Sequence, residues 1–345
     1  MPPRSPIGPG RADTTGWGGD YVRAVGVRAA VWDLGSSSFH LLVCEAGPGD
    51  ALTPVLHRRA LLNLGLSVGE RGSIPPDRVA ASVAAAKRLR TGLTESRAEI
   101  VVALATAALR DAANSAEVVE RLERVVGTKV VVLGGDEEAR LCFIGQRAGV
   151  WAGPEPTLGM DLGGGSLEAA VGDARHLALA TSAAIGPARL RGELGTGDPL
   201  SEGDRAALRA RTAEAIAPIA DAVADYPGVA ERAVVSGGTV RALARLATAR
   251  ARRRPSAGPG EVNQVELPAP QVEELAGELA GLDLKARMAL PGMQARRAPL
   301  LPVGAVVLAG VASELGVGRF VVSEWGLREG AILDALHRSG VTVRL

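Results

Sequence analysis

The sequence predicts an α/β protein of two lobes. Three observations carry that expectation. Short β-rich runs alternate with longer helical periodicities from Arg28 onward, one strand-turn-strand pattern occurs twice, and 345 residues suffice for two hydrophobic cores. The repeated pattern reads WDLGSSSFHLLV from Trp32 and MDLGGGSLEAAV from Met160, one copy for each lobe.

The elements follow in order. Residues 1–27 are rich in Pro, Gly and Arg and lack the continuous apolar stretch of a secretory signal, so they read as a disordered lead-in. Ala29 to Asp33 and Phe39 to Ala46 read as strands around the turn Gly35-Ser36-Ser37-Ser38, a hairpin. Pro76 to Leu93 has helical spacing, with Val79, Val83, Ala86, Leu89 and Leu93 on one face and Asp77 in the first turn, where the helix dipole favours a carboxylate. Glu99 to Ala105 reads as a buried strand. Asn114 is placed to cap a helix carrying Val118, Val119, Leu122, Val125 and Val126, and Lys129 to Leu133 follows as a strand. Asp136 to Ala148 opens with three acids and continues as an amphipathic helix, which begins the crossover between lobes.

The second half repeats the theme. Thr157 to Asp161, the turn Gly163-Gly164-Gly165-Ser166 and Leu167 to Val171 give another strand, turn and strand. A helix spans Glu202 to Val223, then come the strand Ala233 to Ser236, the turn Gly237-Gly238-Thr239 and a helix to Arg250. Residues 251–264 read as a mobile, solvated insertion, and the basic cluster Arg250, Arg252, Arg253 and Arg254 as an exposed helix end. A helix from Val303 to Leu315, a strand from Arg319 to Val322 and a helix from Leu327 to His337 close the pattern.

Composition removes several function classes. With 39 Lys+Arg against 38 Asp+Glu, net charge +1, no global basic field addresses nucleic acid or an anionic membrane. The longest apolar run, Val303 to Ala312, is about half a bilayer span. Cys44 and Cys142 are too few for a disulfide framework or a four-thiolate zinc site, and a reduced cytoplasm is the expected location. His40, His57, His176 and His337 are scattered without metal-ligand spacing and read as structural or surface residues.

The two turns carry the chemistry. Gly and Ser let the backbone approach a ligand closely and point several N–H groups into one concavity, which is an anion site. Each turn has an Asp on its incoming strand, Asp33 or Asp161, suited to a divalent cation beside phosphate oxygens. A phosphate-binding loop of the Gly-x4-Gly-Lys-Ser/Thr type is missing, Glu168 stands where a dinucleotide fingerprint needs Gly or Ala, and no Gly-x-Ser-x-Gly elbow makes Ser166 a nucleophile.

Asp33-Leu34-Gly35-Ser36-Ser37-Ser38 and Asp161 to Glu168 resemble the two phosphate loops of the exopolyphosphatase/guanosine pentaphosphate phosphatase family. The resemblance extends through Ala105 to Arg110 with Asn114, Gly135 to Leu141, Ser236 to Thr239, Arg297 to Gly304, and Ser323 with Gly326 to Gly330. It implies two actin-like, ribonuclease H-like domains of the actin, Hsp70 and sugar-kinase superfold facing an interdomain cleft. One would span 28–139, joined by the C-terminal helix 327–345, and the other 140–326. Longer relatives add a helical domain, and this chain resembles the short two-domain form. Ser37 departs from the Asn common in the first loop, and Pro299 from the Asp often found after Arg-Ala.

The same resemblance assigns roles. Glu138 orients or deprotonates a water, with Glu137 the lesser candidate because neighbouring helical residues point about 100° apart. Asp161 and Glu168 bind Mg2+ or another divalent cation or position the water, and Asp33 does so from the facing lobe. Backbone N–H groups of Gly35 to Ser38, Gly163 to Ser166 and Gly237 to Thr239 cradle phosphate, and Arg110 acts as a bidentate clamp. Inorganic polyphosphate, with short chains favoured, is the leading substrate, guanosine pentaphosphate the alternative, and a silent sensor or a kinase of the same superfold the competing classes. A homodimer is left open.

Overall fold

A computed structural model describes residues 26–47, 52–150, 153–252, 261–341 and 343. The lead-in and residues 253–260 of the expected insertion lie outside the described residues, apart from Gly26 and Val27 at the start of the first strand.

The first sheet contains β1 (Val27–Leu34), β2 (Ser38–Ala46), β3 (Leu52–Leu61), β4 (Ile100–Ala105) and β5 (Val130–Val132) in the order β3-β2-β1-β4-β5. β1, β2 and β3 are antiparallel neighbours, whereas β4 and β5 run parallel to β1. Its helices are α1 (Leu64–Arg71), α2 (Pro76–Ser96), α3 (Ala107–Asp111), α4 (Ser115–Val126) and α5 (Gly135–Gly149). The second sheet repeats the scheme with β6 (Thr157–Leu162), β7 (Leu167–Gly172), β8 (Leu177–Ala183) and β9 (Arg232–Ser236), then β10 (Glu266–Pro268) and β11 (Arg319–Val322), ordered β10-β11-β9-β6-β7-β8. The helices that follow in the chain are α6 (Pro187–Leu194), α7 (Glu202–Ala224), α8 (Gly238–Arg252), α9 (Ala269–Gly281), α10 (Leu284–Met288), α11 (Leu301–Leu315) and α12 (Leu327–Arg338). This duplicated arrangement of three antiparallel strands, a helix and further parallel strands is the ribonuclease H-like pattern of the actin superfold.

The hairpins expected around the two loops are therefore three-stranded units. β3 and β8 add an outer strand to each, and α1 and α6 follow at equivalent places. These two helices pack against each other with backbones touching, because a Cβ on Gly69 would overlap Arg189 O and one on Gly192 would overlap Leu66 O. That contact brings the two sheets together directly beneath the loops.

Three large cores hold the sheets, and a small fourth cluster of Ala139, Phe143 and Ala170 seats α5 on β7. Trp32, Leu34, Phe39 and Leu41 pack under α2 and α4, while the larger second core centres on α11, whose apolar residues point in every direction and are almost all buried. The third core joins β1, β2 and β4 to Leu141 of α5 and to Ala331, Ile332, Leu333 and Leu336 of α12. The last helix thus lies on the first sheet. It crosses α5 at closest approach through glycine, since a Cβ on Gly330 would overlap Leu141 O and one on Gly145 would overlap Gly326 O.

Two local expectations are corrected. Asn114 precedes α4 but makes no capping bond; its side-chain amide instead binds Ile74 N and O at 3.0 and 2.8 Å, tying α4 to the entry of α2. Residues 261–264 are not a solvated insertion, because Val262 is fully buried and Asn263 bonds Gly149 O and Glu324 N. Arg250 pairs with Glu278, and both cysteines are free and buried. Among the described residues no helix is long and apolar enough to cross a membrane.

Candidate active site

The two duplicated loops meet in one cleft between the sheets. Its lining includes Asp33, Gly35, Ser36, Ser37 and Ser38 from the first copy, and Asp161, Gly163, Gly164, Gly165 and Ser166 from the second. Gly237, Gly238 and Thr239 join them from the turn between β9 and α8. The loops touch: a Cβ on Gly164 would overlap Ser37 Oγ, and one on Gly165 would overlap Ser36 Oγ. Ser37, the departure from the family's Asn, therefore fills the space that Gly164 leaves. The first loop is braced by Ala108 N donating to Ser36 Oγ at 3.0 Å and by Leu62 N and Asn63 N donating to Ser37 O, both at 3.0 Å. Ala188 N and Arg189 N donate to Gly164 O at 2.9 and 3.1 Å and brace the second.

Buried carboxylates crowd the floor. Asp33 is pushed up to about 6 by burial, opposed by Arg328 and reinforced by the charges of Asp161 and Glu329. Burial also raises Asp161, although Ser236 donates to it. Glu168, the cross-strand partner of Asp161, is pushed up to about 8 by burial and then by Asp161. Glu138 rises well above the usual carboxylate range, with burial and the charge of Glu168 outweighing Arg110. Far from being an outward hairpin residue, Glu168 is 1% exposed.

Glu138 lines the cleft from the first turn of α5, whereas Glu137 turns away and pairs with Arg140 at 2.7 Å. Arg110 does not line the cleft. Its Nη1 lies 3.0 Å from Glu138 Oε2 and 3.1 Å from Leu133 O, so the expected clamp is paired with Glu138 in this structure. Pro299 is exposed, and its carbonyl accepts from Arg191 at 2.6 Å.

The cations on the lining are others. Arg241 comes from α8, Arg296 and Arg297 from the segment before α11, and Arg328 from α12. Arg297 lies against Gly238, where any Cβ would overlap its guanidinium. Burial and then the charge of Arg328 lower Arg241 to about 10, and burial and then Arg241 lower Arg297 to about 9, so both remain charged at neutral pH. Partly buried like charges side by side favour an anion in the cleft between them. His40 and Asn63 also line the cleft, Asn63 in the left-handed region at φ 52°. Sequence reasoning missed these six. The resemblance had already marked the segments containing Arg297 and Arg328, but not which way those side chains face.

The expected metal trio Asp33, Asp161 and Glu168 is not a preformed cage. Among the described residues no three His, Cys, Asp or Glu side chains are grouped as a metal site, and Glu168 stands behind the lining, accepting from Ser182 at 3.0 Å. The donors still suit a hard divalent cation that keeps water and phosphate oxygens as most of its ligands. Asp33 and Asp161 face the cleft with oxygen only, and Glu168 Oε2 is buried without a hydrogen-bond partner.

A duplicated ribonuclease H-like fold whose paired loops converge on a cationic, carboxylate-floored cleft defines a phosphate-handling protein. This chain belongs to the Ppx/GppA phosphatase family, whose model matches residues 42–339. It is 31% identical over 314 residues to exopolyphosphatase 1 of Mycobacterium tuberculosis, covering 90% of this chain and 88% of the relative. The Mycobacterium leprae protein of the same name is 30% identical, with 90% of each covered. Among solved structures, an exopolyphosphatase from Cytophaga hutchinsonii superposes with TM-score 0.81 at 25% identity, over 92% of this chain and all of the other. The Aquifex aeolicus family member gives 0.73 at 25% identity, over 91% and 98%.

Proposed function

We propose that the protein is an exopolyphosphatase that hydrolyses the terminal phosphoanhydride bond of inorganic polyphosphate. The observation that carries this reading is the arginine wall of Arg241, Arg296, Arg297 and Arg328 facing the glycine-serine loops, with no Phe, Tyr or Trp among the described lining residues to stack on a guanine base. Such a cleft recognises a chain of phosphates by charge and N–H donors alone, which favours polyphosphate over guanosine pentaphosphate.

Hydrolysis requires an oriented water, neutralised charge on the transferred phosphoryl group and a stabilised leaving phosphate. Loop N–H groups and the arginines hold the terminal phosphoryl and its neighbour, and Glu138 takes the proton of the attacking water as the water oxygen bonds to phosphorus. The bond to the bridging oxygen breaks, and the shortened chain leaves with that oxygen. Asp33 and Asp161 would hold a divalent cation, Mg2+ by resemblance, with Glu168 behind them, and that ion supplies charge neutralisation at the phosphoryl oxygens.

The test is orthophosphate release from tripolyphosphate, long-chain polyphosphate and guanosine pentaphosphate with Mg2+, comparing the parent protein with Glu138→Gln. Removal of a general base lowers the rate by about a hundred- to ten-thousandfold with the fold intact. An unchanged rate removes Glu138 from the mechanism. Short chains should turn over best, and equal or better turnover of long chains contradicts that preference.

A further inference from the structure

The duplication is broken at one position. Aligning the copies places His40 where the second has Glu168: each lies seven residues after its loop Asp, on the strand leaving the loop, and pairs across the hairpin with that Asp. Their serine partners differ. His40 Nε2 is 2.7 Å from Ser38 Oγ, the last serine of its own loop, whereas Glu168 accepts from Ser182 on β8 at 3.0 Å.

The direction of the His40–Ser38 bond follows from which partners have a choice. The guanidinium of Arg328 has only N–H donors, and its Nη1 lies 2.8 Å from His40 Nδ1. That nitrogen must therefore accept, which puts the single ring proton on Nε2, facing Ser38. The charged groups around His40 are Arg328 on α12, Arg241 on α8 and Arg297 before α11, with His57 on β3 as the titratable neighbour, and together with burial they hold His40 neutral. Ser38 Oγ accordingly receives a hydrogen bond from behind, and its own hydrogen is left to point into the cleft that it lines.

We propose that Arg328 and His40 are positioning residues that fix Ser38 as a hydrogen-bond donor to a phosphate oxygen. The ligand half of this proposal rests on the reading of the cleft as a phosphate site; the bond direction does not.

Two measurements on the full chain test it. Nitrogen-15 NMR of labelled histidine, assigned with His57→Gln, His176→Gln and His337→Gln, is expected to show His40 neutral with its proton on Nε2. A proton on Nδ1, or a cationic ring at neutral pH, overturns the relay. Tripolyphosphate affinity by calorimetry without added metal gives the second readout. Ser38→Ala and His40→Leu should each weaken binding about ten- to a hundredfold, the loss of one hydrogen bond to a charged group. The double variant should be no worse than Ser38→Ala alone, and His40→Gln, which keeps an N–H within reach of Oγ, should recover most of the loss. Additive single effects, or His40→Gln binding as poorly as His40→Leu, overturn the proposal, and His40→Gln against Ser38→Ala decides it if His40→Leu does not fold. Failure of the parent protein to bind tripolyphosphate overturns the phosphate half together with the reading of the cleft, whereas a wrong tautomer overturns the relay and leaves that reading intact.

Discussion

Replacing Arg110 with methionine separates two roles that an arginine near an active-site acid can play. Arg110 Nη1 and Glu138 Oε2 are 3.0 Å apart, with side chains 24% and 7% exposed, so solvent screens the pair little. An arginine at that range lowers a carboxylate pKa by about one to three units. Burial and Glu168 already hold Glu138 high, and removing the opposing cation sends it higher still. Glu138 must be ionised to take a proton from water, so the acid limb of the rate profile should move up by about one to three pH units. Below the displaced limb the rate falls by about ten- to a thousandfold, and it recovers as pH rises. The assay is orthophosphate release from tripolyphosphate across the pH range for the parent, Arg110→Met and Arg110→Lys, the lysine variant retaining much of the parent profile. A rate lowered equally at every pH, with the limb unmoved, would refute the pairing argument and return Arg110 to direct contact with phosphate.

Three further expectations follow from the packing and charge of the site. Gly165→Ala places a methyl group against Ser36 and Ala107 and should lower orthophosphate release by about tenfold or more, since small displacements of a positioned group are that costly; calorimetric unfolding checks that the fold survives. Asp33 has its pKa raised to about 6, so the folded state binds that proton more tightly than the unfolded chain, and its stabilising contribution is complete in acid and lost as pH climbs through about 6. Asp33→Asn should therefore stabilise the cation-free protein by up to about 3 kcal/mol near pH 8 and change little well below pH 4, read by denaturant unfolding at both values, while activity is lost. Gly330→Ala drives a methyl group into the carbonyl of Leu141 and should destabilise the protein by about 1–3 kcal/mol even though alanine is the better helix former; a raised melting temperature would show that α5 and α12 are less closely packed than described.

The loops and their acids could be read from the sequence because each is a contiguous string whose residue types state their own geometry. Both hairpins, the strands at Ile100 and Val130, and the helices from Pro76, Glu202 and Leu301 follow from periodicity. β3 escaped notice because its Thr53-Pro54 and Arg58-Arg59 break the apolar alternation of an edge strand, and β8 because Leu177 to Ala183 is mostly small residues. The cationic wall was hidden for a different reason: Arg241, the pair Arg296 and Arg297, and Arg328 come from separate stretches of the chain and converge only through the packing of α8, α11 and α12, among 39 basic residues whose spacing does not say which of them face the cleft. Arg110 shows the complementary limit. Its proximity to the acidic motif was legible, but whether its side chain meets a ligand or a neighbouring carboxylate depends on helix orientations that no spacing encodes. His40 was read as structural or surface because its partners, His57 and Arg328, lie on other elements.

The last helix covers the third core, over Val31, Leu42 and Cys44 of the first sheet. During synthesis, that sheet emerges from the ribosome long before residues 327–338 that cover it, so one greasy flank stays bare until they follow, and a nascent chain stalled before residue 327 leaves it open to wrong contacts.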